Sequence, residues 1–221
     1  MVDVQNQLAA VTRGLALEDR DGEPSHVQTL EQRYPAGLED VWEAVTTADR
    51  IARWFLPVSG ELELGGHYQL EGNAGGTVLE CTPPSDTTDG TAGYRITWEF
   101  GGGVTWVTIS LAADGEATRL VLEHVARAGD LPAGMWETYG PGATGVGWDG
   151  GLLGLGLHLG ATEGSLSPQE AEAWAVTEEG KAFYRGAADG WAAAQVAAGA
   201  DPETAARAAD ATYGFYTGAG M

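Results

Sequence analysis

Residues 135–160 read MWETYGPGATGVGWDGGLLGLGLHLG, and this stretch constrains the chain more than any other. Trp148, Leu152, Leu155 and Leu159 recur at i, i+4, i+7 and i+11, which is one face of a helix. The same helix carries Gly150, Gly151, Gly154 and Gly156. Each glycine costs about 1 kcal/mol against alanine in a helix interior, so the stretch accepts about 3–4 kcal/mol of penalty. A helix that tolerates this needs close backbone approach, or open space beside it. The pattern predicts a long helix over 139–159, lying across a curved sheet with a cavity between them.

The remainder of the chain supplies that sheet. Val58 to Ala128 is strand chemistry, with candidates at 58–64, 67–72, 76–82, 93–100, 104–112 and 117–126. Gly65-Gly66, Asn73 to Gly75, Gly101 to Gly103 and Asp114-Gly115 separate them as turns. Tyr94, Ile96, Trp98 and Phe100 alternate with polar residues, and Leu120, Leu122 and His124 do the same. Such strands bury one face, and consecutive hairpins are their economical topology. Upstream, residues 2–12 form a short amphipathic helix. Asp21-Gly22 turns a hairpin whose second strand runs from Ser25 to Tyr34. Two helices follow, Leu38 to Thr47 and one within TTADRIARWF, the second stopped by Pro57. After Ala161 to Ser167 the chain becomes alanine-rich. Helix starts at Ser167-Pro168-Gln169-Glu170, Thr177 and Asp201-Pro202 predict three further helices. Their aromatics include Trp174, Phe183, Tyr184, Trp191, Phe215 and Tyr216. They are expected to pack on the main domain, or on a second copy in a homodimer. The organisation is a domain at 1–162 and a helical extension at 163–221.

Charge and cysteine usage narrow the function classes. The chain has 221 residues and a net charge of −21. Such a surface repels phosphate backbones and anionic lipid, so neither nucleic acid nor membrane is an expected partner. A basic protein partner fits it. No apolar run reaches the ~18 residues of a membrane span. The N-terminus lacks the basic and apolar regions of a signal peptide, which predicts a cytoplasmic protein. The single Cys81 forms no intrachain disulfide and no metal-ligand pattern, and no cofactor is implied.

Helix pair, antiparallel meander and long helix, in that order, is a helix-grip layout, of α+β class. TTADRIARWFLP (46–57), LGGHYQL (64–70), GGTVLECTPP (75–84), YRITWEF (94–100), TRLVLEH (118–124) and GVGWDGGLLGLGLHL (145–159) carry a resemblance. Residues 24–160 resemble the SRPBCC (START-like) proteins, in particular the group related to the activator of heat-shock-protein ATPase. The resemblance implies a curved antiparallel sheet wrapped around a long C-terminal helix. It leaves function open, because the superfamily includes lipid carriers, polyketide cyclases and aromatases, and co-chaperone domains.

The resemblance also implies that Trp54, Phe55, Trp98, Tyr139 and Trp148 line a cavity under the long helix, together with Leu122 and Leu152. Ligand pockets are largely apolar and aromatic, with a few polar groups. His124, Glu99, Tyr139 and Asp149 are the polar candidates. His124 lies on the inward phase of its strand, where it serves either as a pocket base or as a core histidine bonded to backbone. His26, His67 and His158 share no metal-ligand spacing with it. Gly145 to Gly150 matches GxGxxG, but no βαβ unit surrounds it, so no dinucleotide site follows. Cys81 reads as a buried small hydrophobe. No set of base, orienting group and oxyanion donor assembles from the residues. The leading reading is therefore a non-catalytic protein holding a small apolar or aromatic ligand between sheet and helix. A cyclase- or aromatase-like enzyme using His124 or Tyr139, and a chaperone-activator-like interaction module, are the alternatives.

Overall fold

A computed structural model describes residues 1–218. The N-terminal helix α1 (Val4–Ala10) is capped by Asp3, whose carboxylate accepts from the Asn6 amide at 3.1 Å. Strands β1 (Thr12–Arg20) and β2 (Glu23–Tyr34) then form the hairpin at Asp21-Gly22. Both turn residues have positive φ, 56° and 83°, as a two-residue turn matching strand twist requires. Helices α2 (Leu38–Thr46) and α3 (Ala48–Trp54) follow. The meander then runs through β3 (Val58–Gly60), β4 (His67–Leu70), β5 (Gly75–Thr82), β6 (Thr91–Phe100), β7 (Gly103–Asp114) and β8 (Ala117–Arg127). The eight strands form one curved antiparallel sheet in the order β1-β2-β8-β7-β6-β5-β4-β3. The last meander strand thus pairs back onto the N-terminal hairpin. This is the helix-grip architecture that the strand alternation predicts.

The third strand is shorter than expected. It ends at Gly60, whose φ is +98° and where a Cβ would lie 2.1 Å from the His67 carbonyl oxygen. The backbones meet there too closely for an extended side-chain-bearing residue.

The long helix also starts later than its pattern predicts. A separate short helix, α4 (Met135–Tyr139), comes first, and Gly140 at φ 53° breaks the path. Helix α5 (Gly142–His158) then lies against the sheet. Leu152 and Leu155 join Leu30, Val107, Ile109, Leu120 and Leu122 in the central core.

The other side of α5 is covered as well. Helices α6 (Ala171–Ala175), α7 (Glu178–Ala197) and α8 (Pro202–Thr217) form the extension. Ala187, Ala188, Trp191 and Ala194 of α7 and Ala209 of α8 belong to the same core cluster as the sheet. The glycines of α5 mark these contacts. A Cβ on Gly145 would stand 2.2 Å from the Trp191 indole, and one on Gly147 would stand 3.0 Å from the Tyr216 hydroxyl. Gly154 packs instead on α3, where a Cβ would meet the Trp54 carbonyl oxygen at 2.2 Å. The glycine-rich pattern therefore serves close packing at those three positions. Gly150 faces open space, with nothing within 4 Å of an added Cβ, and Gly151 borders a cavity, with Phe55 at 3.7 Å from its added Cβ.

Candidate functional site

The space between sheet and α5 is divided in two. Strand alternation sends Tyr94, Ile96 and Trp98 of β6, Val107 and Ile109 of β7, and Leu120 and Leu122 of β8 to the concave side. Helix α3 and the residue that follows it close one end with Ile51, Trp54 and Phe55, and α5 covers the top with Trp148, Gly151, Leu152 and Leu155. They enclose a cavity of about 120 Å³. Its aromatic rings form a connected series. Trp54 and Phe55 lie 5.5 Å apart, Phe55 stacks on Trp148 at 6.4 Å, and Trp148 meets Trp98 edge-on at 4.8 Å. The Trp54 indole donates to the Ala44 carbonyl at 2.9 Å, which fixes α3 on α2.

Among the described residues, none that borders this cavity is charged. Its polar atoms belong to Thr46, Tyr68, Cys81, Tyr94 and the indoles. Burial pushes the phenols of Tyr68 and Tyr94 and the thiol of Cys81 above their ordinary values, so all three are neutral at pH 7. The Tyr68 hydroxyl donates to the Thr97 carbonyl at 2.7 Å.

Six of the eight residues expected around a ligand border this cavity: Trp54, Phe55, Trp98, Leu122, Trp148 and Leu152. His124 and Tyr139 do not. They face a second space of about 570 Å³, a groove between the β6–β7 tip, α4 and the end of α8. Trp98 borders both spaces, and behind it the Trp148 indole donates to His124 Nδ1 at 3.1 Å. One layer of side chains is therefore the wall between them.

That hydrogen bond decides the chemistry of His124. An indole N–H only donates, so Nδ1 is bare and the proton sits on Nε2. Nε2 donates in turn to the Thr105 hydroxyl at 2.8 Å. Burial draws the imidazole pKa down to about 4, because charging it would forfeit solvation that the site does not replace. Both ring nitrogens are occupied. His124 is a neutral, hydrogen-bonded core residue that orients Trp148, and no ring nitrogen is left to act as a base.

The remaining polar candidates lie elsewhere. Glu99 is exposed and accepts from the Thr97 hydroxyl. Asp149 faces away from both spaces. It is 1% exposed, lies 2.6 Å from the Arg13 guanidinium, and accepts from Trp191 Nε1 at 2.8 Å. Burial pushes its carboxyl upward, and the charge and hydrogen bonds of Arg13 and the Trp191 bond pull it back. His158 accepts from Arg50, His26 stacks on Trp136, and His67 contacts Thr77. Among the described residues no group of His, Cys, Asp or Glu is gathered for a metal ion, and no helix is long and apolar enough to cross a membrane.

Arg13 and Trp191, as partners of Asp149, were not visible to the sequence reading. One signal existed. Val146, Leu153 and Leu157 form a second apolar stripe on α5, opposite Trp148 and Leu152. A helix apolar on both sides is covered on both sides.

The comparisons with known proteins agree with the fold. Residues 35–150, just over half of the chain, match the family model described as "Activator of Hsp90 ATPase homolog 1-like protein". The crystal structure of CalU16 from Micromonospora echinospora is similar at 28% identity and a TM-score of 0.60, over 84% of this chain and 98% of that one. Its solution structure gives 0.64, over 86% and 97%. Protein MLL2253 from Mesorhizobium loti shares the fold at 18% identity and a TM-score of 0.50, over 62% of this chain and 98% of that one. No curated protein matches the chain.

Proposed function

Because the chain belongs to the activator of Hsp90 ATPase homolog 1-like family, whose fold leaves function to the site, we propose that it binds a small apolar or aromatic molecule in the cavity beneath α5. One observation carries this reading: among the described residues, the cavity is bordered by aromatic and aliphatic side chains and by no charged one. Such a surface offers nothing to an ion and recognises a molecule that is poorly solvated in water. At about 120 Å³ it suits a single ring, since apolar cavities near ~150 Å³ take up benzene. Trp148 and Trp98 meet the ligand with their rings held in place, the first by His124.

The same observation weighs against a cyclase- or aromatase-like reaction in this cavity. Proton transfer needs a positioned acid or base, and the nearest imidazole is committed to Trp148 and Thr105. The interaction-module reading draws on the net charge of −21, which suits a basic partner.

The test uses toluene as the probe. Saturating toluene should raise the melting temperature by mass action and quench tryptophan emission. Gly151→Leu projects a side chain from the cavity face of α5, past Phe55, into the cavity and should abolish both effects while the protein stays folded. If toluene changes neither signal in the wild type, or if Gly151→Leu binds it as well as the wild type, the cavity is not a ligand site.

A further inference from the structure

The groove beyond the Trp98–Trp148 wall is the larger space. Its volume of about 570 Å³ lies inside the ~300–1,000 Å³ range of small-molecule sites, which the cavity does not reach. We propose that the groove is a separate binding site for a neutral, flat, polycyclic aromatic molecule.

The walls favour a flat guest. Trp136 and Tyr139 of α4 and Phe215 and Tyr216 of α8 form one side, and Trp98 reaches the inner end. Contacts behind the groove fix several of these rings. Trp136 stacks on His26 at 3.5 Å and 18°, Tyr216 stacks on Tyr184 at 5.4 Å and 15°, and Tyr139 tilts against Phe215 at 5.7 Å. Rings already ordered lose little freedom on meeting another ring, and aromatic pairs attract beyond the area they bury.

The facing rim is low and open. Gly101 and Gly102 have φ of 61° and 86°, and a Cβ on either would meet nothing within 4 Å. Phe100 and Phe215 flank the mouth and are 62% and 67% exposed. Two phenyl rings left in water at one opening mark a surface that gains by being covered.

Charge selects the class. Most polar groups of the groove are already paired: Gln28 donates to the Pro141 carbonyl at 2.6 Å and accepts from Thr144 at 2.6 Å, and His124 is paired with Thr105; His26 Nδ1, buried and without a partner, is left to meet one polar atom of a neutral guest. The charged groups at the edge are Arg127 and Asp130, of opposite sign. The whole chain, at −21, repels anions. An uncharged ring system meets no penalty there.

The extension supplies Thr212, Phe215 and Tyr216 to the groove. Gln28, His26, Phe215 and Tyr216 all lie outside the family-matched residues 35–150. This proposal therefore stands or falls independently of ligand binding in the cavity.

The experiment is titration with the neutral dye N-phenyl-1-naphthylamine, read by its fluorescence and by amide NMR. The wild type should bind it, with shifts concentrated at Gly101 to Gly103 and Thr212 to Thr217. Phe215→Ala, at an exposed position, should weaken binding about fivefold, the loss of one aromatic contact, without moving the melting temperature. Phe100→Ala should act in the same direction. Gly151→Leu should leave dye binding unchanged. Four results would overturn the proposal. The first is a wild type that binds no dye. Dye binding lost in Gly151→Leu and kept in Phe215→Ala would place the dye in the cavity. Equal displacement by saturated cyclododecanol would remove the aromatic requirement. A dye-free protein whose dimer dissociates in Phe215→Ala would show the groove to be filled by a second copy.

Discussion

At the scale of single residues, two buried ionisable groups, His124 and Asp149, behave in opposite ways. His124 is neutral, with its pKa lowered to about 4 by burial. In the unfolded chain it titrates near 6.5. Between these values the unfolded state binds the extra proton, so stability is fully present above about pH 6.5 and is lost as pH falls toward 4. The difference amounts to at most ~3 kcal/mol. His26 and His158, also lowered by burial, act in the same direction. Unfolding free energies at pH 7 and pH 4 should show this decline, and His124→Gln should reduce it. An undiminished decline in the variant would show that other groups carry it. Asp149 instead holds a charge pair with Arg13. Asp149→Ala strands that guanidinium in the interior, which costs about 3–5 kcal/mol; chemical denaturation will measure it. The inward phase of His124 was legible from strand alternation, a local property. Its role was not, because the deciding partner, Trp148, lies across the fold on α5. The same limit applied to Asp149, whose partners come from β1 and α7.

At the scale of elements, the glycines of α5 separate into two kinds, and substitution should distinguish them. Gly154→Ala places a Cβ into the Trp54 carbonyl; overpacking of this kind costs about 1–3 kcal/mol and should outweigh the helix propensity gained. Gly151→Ala meets Phe55 at an ordinary 3.7 Å and should stabilise by up to ~1 kcal/mol. Paired melts of the two variants provide the check, and equal shifts would contradict the geometry. Most element types were readable, though the separate helix α4 was not. Period-two alternation in β6 and β8, and the Asp21-Gly22 turn, are written locally. What periodicity could not show is which neighbour each helical glycine admits. Identical letters at 145, 147, 151 and 154 face an indole, a phenol, a cavity and a backbone carbonyl.

For the molecule as a whole, the sheet and the extension share one core. Trp191 is 1% exposed and Phe183 equally so. Burial of one large apolar side chain contributes about 1.5–3 kcal/mol, and a domain has only ~5–15 kcal/mol in total. A chain ending at residue 162 would leave the Trp191 slot at Gly145 and the second stripe of α5 bare. It should lose cooperative melting or aggregate, whereas the full chain gives one transition; calorimetry of both forms tests this. Retained cooperativity in the short form would make the extension a passive attachment.

The slot at Gly145 also bears on how the chain comes into being. Every strand of the sheet and all of α5 are synthesised before the indole that fills the slot. At ~5–20 residues per second, the interval from α5 to the end of α8 lasts several seconds. During it, one side of the central helix has no cover of its own. Nascent chains halted before Glu178 should therefore be cut readily by protease, and those released after Thr217 should resist. The last helices to be synthesised set the moment at which the first ones become safe.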